Sequence, residues 1–266
     1  MSVAIVTGGA SGMGLALVKN LLARKYAHVV IADLNPPSAE VLAELGPSAI
    51  FYKTDVSSWD NLAALFKFTS ANFGRLDLVA LNAGISDTDK LYEDTPDAPA
   101  PLNMKTFEVD LYAPVYGFRL ALWYMRRNPG GPSGKIIMTS SSSGFYAYPA
   151  NPEYCAAKHG VVGLVRSLGP SLIDETITVN CICPGIVKTP LVPPEIVAAF
   201  PPDHWTPVST IMAGFDLVID SGITGAAIEC SGAQVIARPQ LEYLDAHMKF
   251  LFEGSKELFE KAYEKK

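Results

Sequence analysis

Short apolar runs rich in valine and isoleucine return along the whole chain: VAIVT (3–7), VVIAD (29–33), IFYKTDV (50–56), LDLVALNAG (76–84), KIIMTS (135–140), ITVNCICPG (177–185) and GAAIECSG (225–232). Between them lie segments of helical spacing at 14–25, 38–45, 59–73, 104–127 and 152–169. A strand covered on both faces reads as a continuous apolar run, and its regular alternation with helices selects a parallel sheet sandwiched between helices. The expected fold class is therefore α/β, a doubly wound parallel sheet. The 266 residues suit one large domain better than two small ones. Its expected bounds are 1–240, with 241–266 as an amphipathic, lysine-ended helical tail.

The stretch TGGASGMG (7–14) follows the first strand and opens the first helix. Gly8 allows the tight turn, Gly12 lets backbone approach a pyrophosphate, and Gly14 lets helix and strand pack closely; the helix N-terminus then faces the phosphates. Asp33 ends the second strand nineteen residues past Gly14. An acid there binds the ribose hydroxyls of a dinucleotide and repels a 2′-phosphate, favouring NAD over NADP. The competing reading is that Asp33 caps the turn before LNPP. Asp55-Val56 ends strand three within reach of an adenine edge, and Asn82-Ala83-Gly84 ends strand four, where small residues let backbone come close to a cofactor. Each also fits an ordinary strand-end turn.

Two stretches interrupt the rhythm after strand ends, on the edge where open α/β sheets bind ligands. One is the polar, proline-rich 86–103; the other is 190–207, PLVPPEIVAAFPPDHWTP. The second, with Phe200 and Trp205, reads as an apolar substrate lid, and its alternative is a variable surface loop. His204 reads as a solvent-side residue of that lid. The net charge of −6 supplies no basic field for nucleic acid or anionic membrane, and no apolar run reaches the roughly 18 residues of a membrane span. The N-terminus lacks a signal-peptide pattern. Four scattered cysteines (Cys155, Cys181, Cys183, Cys230) lack disulfide-framework or metal-site spacing, so no metal is expected and the cytoplasm is the expected compartment.

EYCAAKHG (153–160) sets Tyr154 four residues before Lys158, a spacing that shares one helix face. An ammonium beside a phenol favours phenolate, which is how a tyrosine becomes an acid or base near neutral pH. The same spacing arises by chance on surface helices, and the octapeptide alone does not decide. The order TGxxxGxG, Asp-Val, Asn-Ala-Gly, Ser, YxxxK, Pro-Gly does: over essentially the whole chain to about residue 232 it resembles the short-chain dehydrogenase/reductase family. Through YCAAKHGVVGLVRS and VNCICPGIVKT it is most similar to the 15-hydroxyprostaglandin dehydrogenase-like branch.

The resemblance implies a single Rossmann-type domain, NAD, and a hydrophobic secondary alcohol or its ketone as the small-molecule partner. It implies Ser141, thirteen residues before Tyr154 in TSSSSG, as the hydrogen-bond partner of the substrate oxygen. Tyr154 then takes the hydroxyl proton, and Lys158 holds the ribose hydroxyls and tunes the phenol. Ser11, Met13 and Leu34 join the glycine loop and Asp33 in holding the cofactor. Pro184-Gly185, the backbone at Ile186 and Val187 and the Thr189 hydroxyl hold its carboxamide and pyrophosphate end. Asn151 stands where the branch carries a glutamine near the substrate hydroxyl; a helix N-cap explains it equally well. A homodimer or homotetramer is implied, pairing helices 104–127 and 152–169 through Phe118, Leu122, Val162 and Val165, unless these side chains face only the sheet.

Two positions depart from the family's pattern. Asp110, in VDLYAP, replaces the usual asparagine of the proton relay; a carboxylate can accept from Lys158 and raise its pKa but cannot donate. Pro114, one turn on, is expected to kink that helix. Leu81 replaces a first asparagine, with sheet support the expected consequence. Intact Ser141, Tyr154 and Lys158 argue for turnover rather than a catalytically silent nucleotide sensor. A biosynthetic ketoreductase, or a member repurposed for a non-redox step, remains the alternative within the enzyme class.

Overall fold

In a computed structural model, residues 2–87, 91, 92, 94, 98 and 100–263 are described, apart from the side chain of Glu260. Eight strands form one sheet in the order β3-β2-β1-β4-β5-β6-β7-β8. They are β1 (Val3–Thr7), β2 (His28–Asp33), β3 (Ala49–Lys53), β4 (Leu78–Leu81), β5 (Gly134–Thr139), β6 (Ile177–Pro184), β7 (Ala227–Ser231) and β8 (Gln234–Arg238). All pairings are parallel except β7 with β8.

Alternate side chains of each strand enter two separate cores. Ile5, Val79 and Ile136 point to one face, where α3 (Trp59–Phe73), α4 (Ala113–Met125) and α5 (Pro152–Ser171) supply Leu62, Phe66, Met125 and Val165. Ala4, Val6 and Ile137 point to the other, under Leu17 and Leu21 of α1 (Gly12–Ala23) and Phe215 of α7 (Val208–Asp220). Short helices α2 (Ala39–Leu45) and α6 (Pro194–Ala199) complete the set before the C-terminal tail. The doubly wound sheet expected from the sequence is present. Its order reverses between β1 and β4, so the carboxyl ends of those strands open the crevice where such sheets bind ligands.

Three expectations need correction. The seventh run is not the last strand: Gly232, at φ +55°, turns the chain back after β7, and β8 pairs antiparallel with Ser231 opposite Gln234. The region 104–127 is not one helix. After a helical turn at Lys105–Phe107 it widens into a π turn over Glu108–Tyr112, where the Ala113 N–H donates to the Glu108 carbonyl five residues back. Pro114 has no N–H for the carbonyl of Asp110, and the turn that holds that carbonyl is the widened one. Finally, Val162 and Val165 are buried in the core, and Phe118 and Leu122 pack partly against it. The exposed large apolar residues of 104–127 are Met104, Tyr112, Val115 and Trp123.

Candidate active site

Glycines shape the crevice. Gly8 has φ +63°, and a Cβ on it would sit 2.8 Å from the Cα of Ala83. A Cβ on Gly14 would sit 2.1 Å from the Gly8 carbonyl oxygen, so no side chain fits between turn and helix. Gly12, at φ +52°, faces the Thr189 side chain, whose Cβ and Cγ2 would lie 3.2 Å from an added Cβ. Ser11 stands at the N-cap of α1 in extended conformation, yet its hydroxyl makes no cap bond and no acid lies in the first turn. Met13 packs partly into the core beside them. The result is a glycine-lined turn ending in uncapped helix amides, a site suited to a diphosphate.

Asp33 spans this turn: its Oδ2 accepts from the Ala10 N–H at 3.1 Å and its Oδ1 from the Leu34 N–H at 2.8 Å. Leu34 itself is exposed beside it. Lys53 is the register partner of Asp33 on β3, which places a cation one strand away from the carboxylate. Asp55 lies past the end of β3 and accepts from the Ser57 N–H and hydroxyl; the hydroxyl bond, more than burial can oppose, holds its carboxyl below the usual value. Val56 is buried in the core. Asn82 uses its side chain as a clamp. Its amide donates to the Thr7 carbonyl at 3.2 Å while its Oδ1 accepts from the Thr139 hydroxyl at 3.1 Å, tying together the ends of β1, β4 and β5. Leu81, one residue earlier, fills the space opposite Gly117 of α4, where a Cβ would meet its Cδ2 at 2.3 Å.

Tyr154 and Lys158 lie on the first turns of α5. The ammonium sits 5.3 Å from the centre of the Tyr154 ring and reaches the end of β5. Lys158 is buried and makes two polar contacts, to the Thr139 carbonyl at 3.0 Å and to the Asp110 carboxylate at 3.0 Å. Asp110 is fully buried in the π turn, and its other oxygen accepts from the Ile85 N–H at 2.8 Å. Burial alone lowers the lysine, but Asp110 and then Tyr154 outweigh it and hold the ammonium above its ordinary value. Burial raises the Asp110 carboxyl while Lys158 works against that rise. Both oxygens of Asp110 face donors, so the charged pair is the form this geometry fits. Gly84 makes room for it: a Cβ there would lie 3.2 Å from Asp110 and 3.4 Å from the ammonium. Ala83 closes the same strand end, its N–H on the Thr7 hydroxyl.

The serines divide their work. Ser140 is buried and donates to the Lys158 carbonyl at 2.8 Å, fastening α5 to the sheet. Ser141 caps a short turn at Ser142–Gly144; its Oγ accepts from the Ser143 N–H at 3.1 Å, which leaves its own proton available to donate.

Sequence reasoning missed the residue that caps α5. Asn151 occupies the N-cap position but its side chain makes no cap bond. The carboxylate of Asp87, more than sixty residues earlier, accepts from the Glu153 N–H at 3.1 Å and from the Tyr154 N–H at 2.6 Å. Capping therefore does not account for Asn151. Nothing local marked Asp87, one acid in a polar loop; residues 88–90, 93, 95–97 and 99 of the 86–103 segment fall outside the described residues.

Beyond β6, Pro184 ends the strand and the Gly185 N–H donates to the Cys230 carbonyl at 2.8 Å. The carbonyl of Ile186 accepts from the Thr206 N–H at 2.8 Å, so the stretch 187–205 leaves and returns at one point. Val187 is buried in the core and Thr189 meets Gly12. Within the loop, Phe200 and Trp205 pack edge to face at 4.9 Å, and the Lys188 ammonium lies 5.2 Å from the Trp205 ring centre. Trp205 is buried, Phe200 half-buried and His204 exposed beside Asp203. The buried thiols Cys181 and Cys183 are core-filling groups, and burial pushes Cys230 up to about 12.

Against known proteins, the family profile for short chain dehydrogenases matches residues 2–196. The short-chain dehydrogenase/reductase prx6 of Penicillium rubens is 33% identical over 255 residues, covering 88% of this chain and 84% of that protein. Human 15-hydroxyprostaglandin dehydrogenase [NAD(+)] is 35% identical over 195 residues, covering 70% of this chain and 68% of that protein. The chain belongs to the short-chain dehydrogenase/reductase family, whose members are oxidoreductases that use a nicotinamide cofactor.

Proposed function

We propose that this family member is an NAD-dependent oxidoreductase that interconverts a hydrophobic secondary alcohol and its ketone. The observation that carries the reading is Tyr154 beside the buried ammonium of Lys158, whose charge Asp110 sustains. The glycine cradle and the uncapped start of α1 fit a dinucleotide diphosphate. Asp33 would hold the adenosine ribose, with Leu34 flanking it and Asp55-Val56 toward the base. Asn82-Ala83-Gly84, Pro184-Gly185, Ile186, Val187 and Thr189 would line the remainder. NAD, when bound, supplies the acceptor for the hydride of the alcohol.

The chain's own groups handle the proton and the substrate. Ser141 donates a hydrogen bond to the substrate oxygen. Tyr154 takes the hydroxyl proton in oxidation and returns it in reduction. Lys158 keeps a positive charge beneath the phenol; it donates to the Thr139 carbonyl and pairs with Asp110, and a remaining hydrogen would serve a ribose hydroxyl. Asp110 positions this lysine directly. Phe200 and Trp205, with the exposed Ile196, make the 190–207 segment an apolar cover, which would favour a lipid-like or polyketide-like alcohol over a sugar. Asn151, released from capping, is free to meet the substrate hydroxyl.

We read residues 1–240 as the catalytic unit and 241–266 as an appendage, in a cytoplasmic homo-oligomer. The described cysteines are all free thiols, which suits a reducing compartment. No described helix is long and apolar enough to cross a membrane. The oligomer would use the exposed side of the π turn and α4, at Tyr112, Val115 and Trp123.

Tyr154→Phe tests the chemistry. It removes the proton acceptor and little packing, so turnover of secondary alcohols with NAD is expected to vanish while the NAD dissociation constant holds. Retention of more than about a few per cent of kcat would remove the phenol from its assigned role.

A further inference from the structure

After β8 the chain leaves the body of the protein. Arg166 of α5 donates to the carbonyls of Arg238 and Pro239, at 3.3 and 2.9 Å, and fastens the base of the segment. Past this anchor come a helical turn (Ala246–Lys249), a π turn (Phe250–Gly254) and α8 (Lys256–Tyr263). These pieces pack on one another: Tyr243 stacks on Phe252 at 6.1 Å, and Ser255 is buried against the carbonyls of Phe250 and Leu251. Among the described residues they make no extended contact with the sheet or its flanking helices. Leu241, Leu244, Phe250, Phe252, Leu258 and Tyr263 are each between 61% and 90% exposed.

We propose that residues 241–263 form an arm that docks on a second copy of this chain. The inference rests on the homo-oligomer reading and names an interface for it distinct from α4. Isolated helices shorter than about 12–15 residues are marginal in water, so this arm needs cover to persist. Large aromatic side chains bury about 150–250 Å² each. At these exposures, with Met248, Leu251 and Phe259 adding to the six, the arm offers roughly 900 Å² of apolar surface, close to the ~800 Å² each partner gives a stable interface. Two arms related by a two-fold axis meet that requirement without another partner. The charge pattern points the same way. Residues 241–266 hold six carboxylates and five lysines, and Lys249–Glu253 and Glu257–Lys261 pair along the helices. An anionic lipid surface selects an excess of basic residues, which this arm lacks. The exposed edge strand β8, with Ile236 outward, continues the same surface from the arm's base.

The test is the mass of the full-length chain by light scattering at micromolar concentration, for wild type, Phe250→Ser with Phe252→Ser, Leu258→Ser with Tyr263→Ser, and Val115→Ser with Trp123→Ser. Circular dichroism checks each fold, and either arm pair suffices if the other misfolds. The expected result is that an arm pair halves the mass of the wild type. A wild type that is monomeric overturns both this inference and the homo-oligomer reading. Dissociation by the α4 pair alone, with both arm pairs at wild-type mass, overturns the arm and spares the oligomer. Flotation of the wild type with phosphatidylcholine vesicles would put lipid in the second copy's place and also overturn it.

Discussion

Replacing Asp110 with asparagine, the residue the family's pattern usually carries, should damage this protein, because here the carboxylate serves two donors at once. One oxygen accepts from the Ile85 N–H at 2.8 Å and the other faces the Lys158 ammonium at 3.0 Å. An amide has one acceptor and one donor, so whichever way the substituted side chain turns, its NH₂ meets an N–H or an ammonium. Breaking a buried pair by removing one partner costs about 3–5 kcal/mol; we take about 3, since Lys158 keeps the Thr139 carbonyl. For a domain of this size that is a Tm loss of about 6–12 °C. The two shifts set the pH dependence. With Asp110, Lys158 is held above its ordinary value of 10.5, and its contribution is complete below that value and fades as pH rises through the folded pKa. In Asp110→Asn, burial acts on the lysine with its main opponent gone and only Tyr154 and Cys183 pulling the other way, so the lysine should fall, with a penalty that is full at acid and neutral pH and is relieved as pH approaches 10.5. On the acid side the Asp110 carboxyl, raised above 3.8 by burial, takes up its proton in the folded protein before the unfolded chain does, so the wild type gains stability as pH falls and the difference does not close there. Thermal scans of both proteins from acid to alkaline pH should therefore show a gap that persists from acid through neutral pH and closes as pH rises past 10.5. A gap under about 1 °C at neutral pH, or one that ignores pH, would refute the buried-pair reasoning.

Other substitutions probe the rest of the site. Asp33→Ala should relax the preference for NAD; kcat/KM for wild type that is equal or better with NADP would show instead that Lys53, one strand away, governs the choice. Asp87→Ala removes the acceptor of the Tyr154 N–H and should lower kcat about fivefold with KM nearly unchanged, consistent with loss of a cap worth about 1 kcal/mol. Asp87→Asn should restore most of it, and an Asn variant as poor as Ala would count against capping. Phe200→Ala with Ile196→Ala should raise KM several-fold for an apolar alcohol while NAD affinity stays put. A KM flat across a chain-length series would move the lid elsewhere.

Much of this protein is local, and the local part could be read directly. The continuous apolar runs fix seven strands because β-branched residues suit a strand covered on both faces, and the 3.6 period places α3 within its observed bounds. Glycine at 8, 12 and 14 marks the turn because any Cβ there would strike backbone or the facing threonine. Tyr154 and Lys158 share a helix face by spacing alone. Tertiary structure decided whatever depends on elements far apart in sequence meeting in space. The strand β8 carries no buried stripe, since it lies exposed at the sheet edge, and only its pairing with β7 makes it a strand. The inward direction of Val162 and Val165 came from docking α5 on the sheet, because a helix apolar on several sides does not announce which side is covered. The widened turn at Asp110 and the cap from Asp87 have the same origin. Hydrogen-bond partners for a buried carboxylate or an orphan helix amide are chosen by proximity in the folded state, and the residues that supply them look, in sequence, like any other acid in a loop or helix.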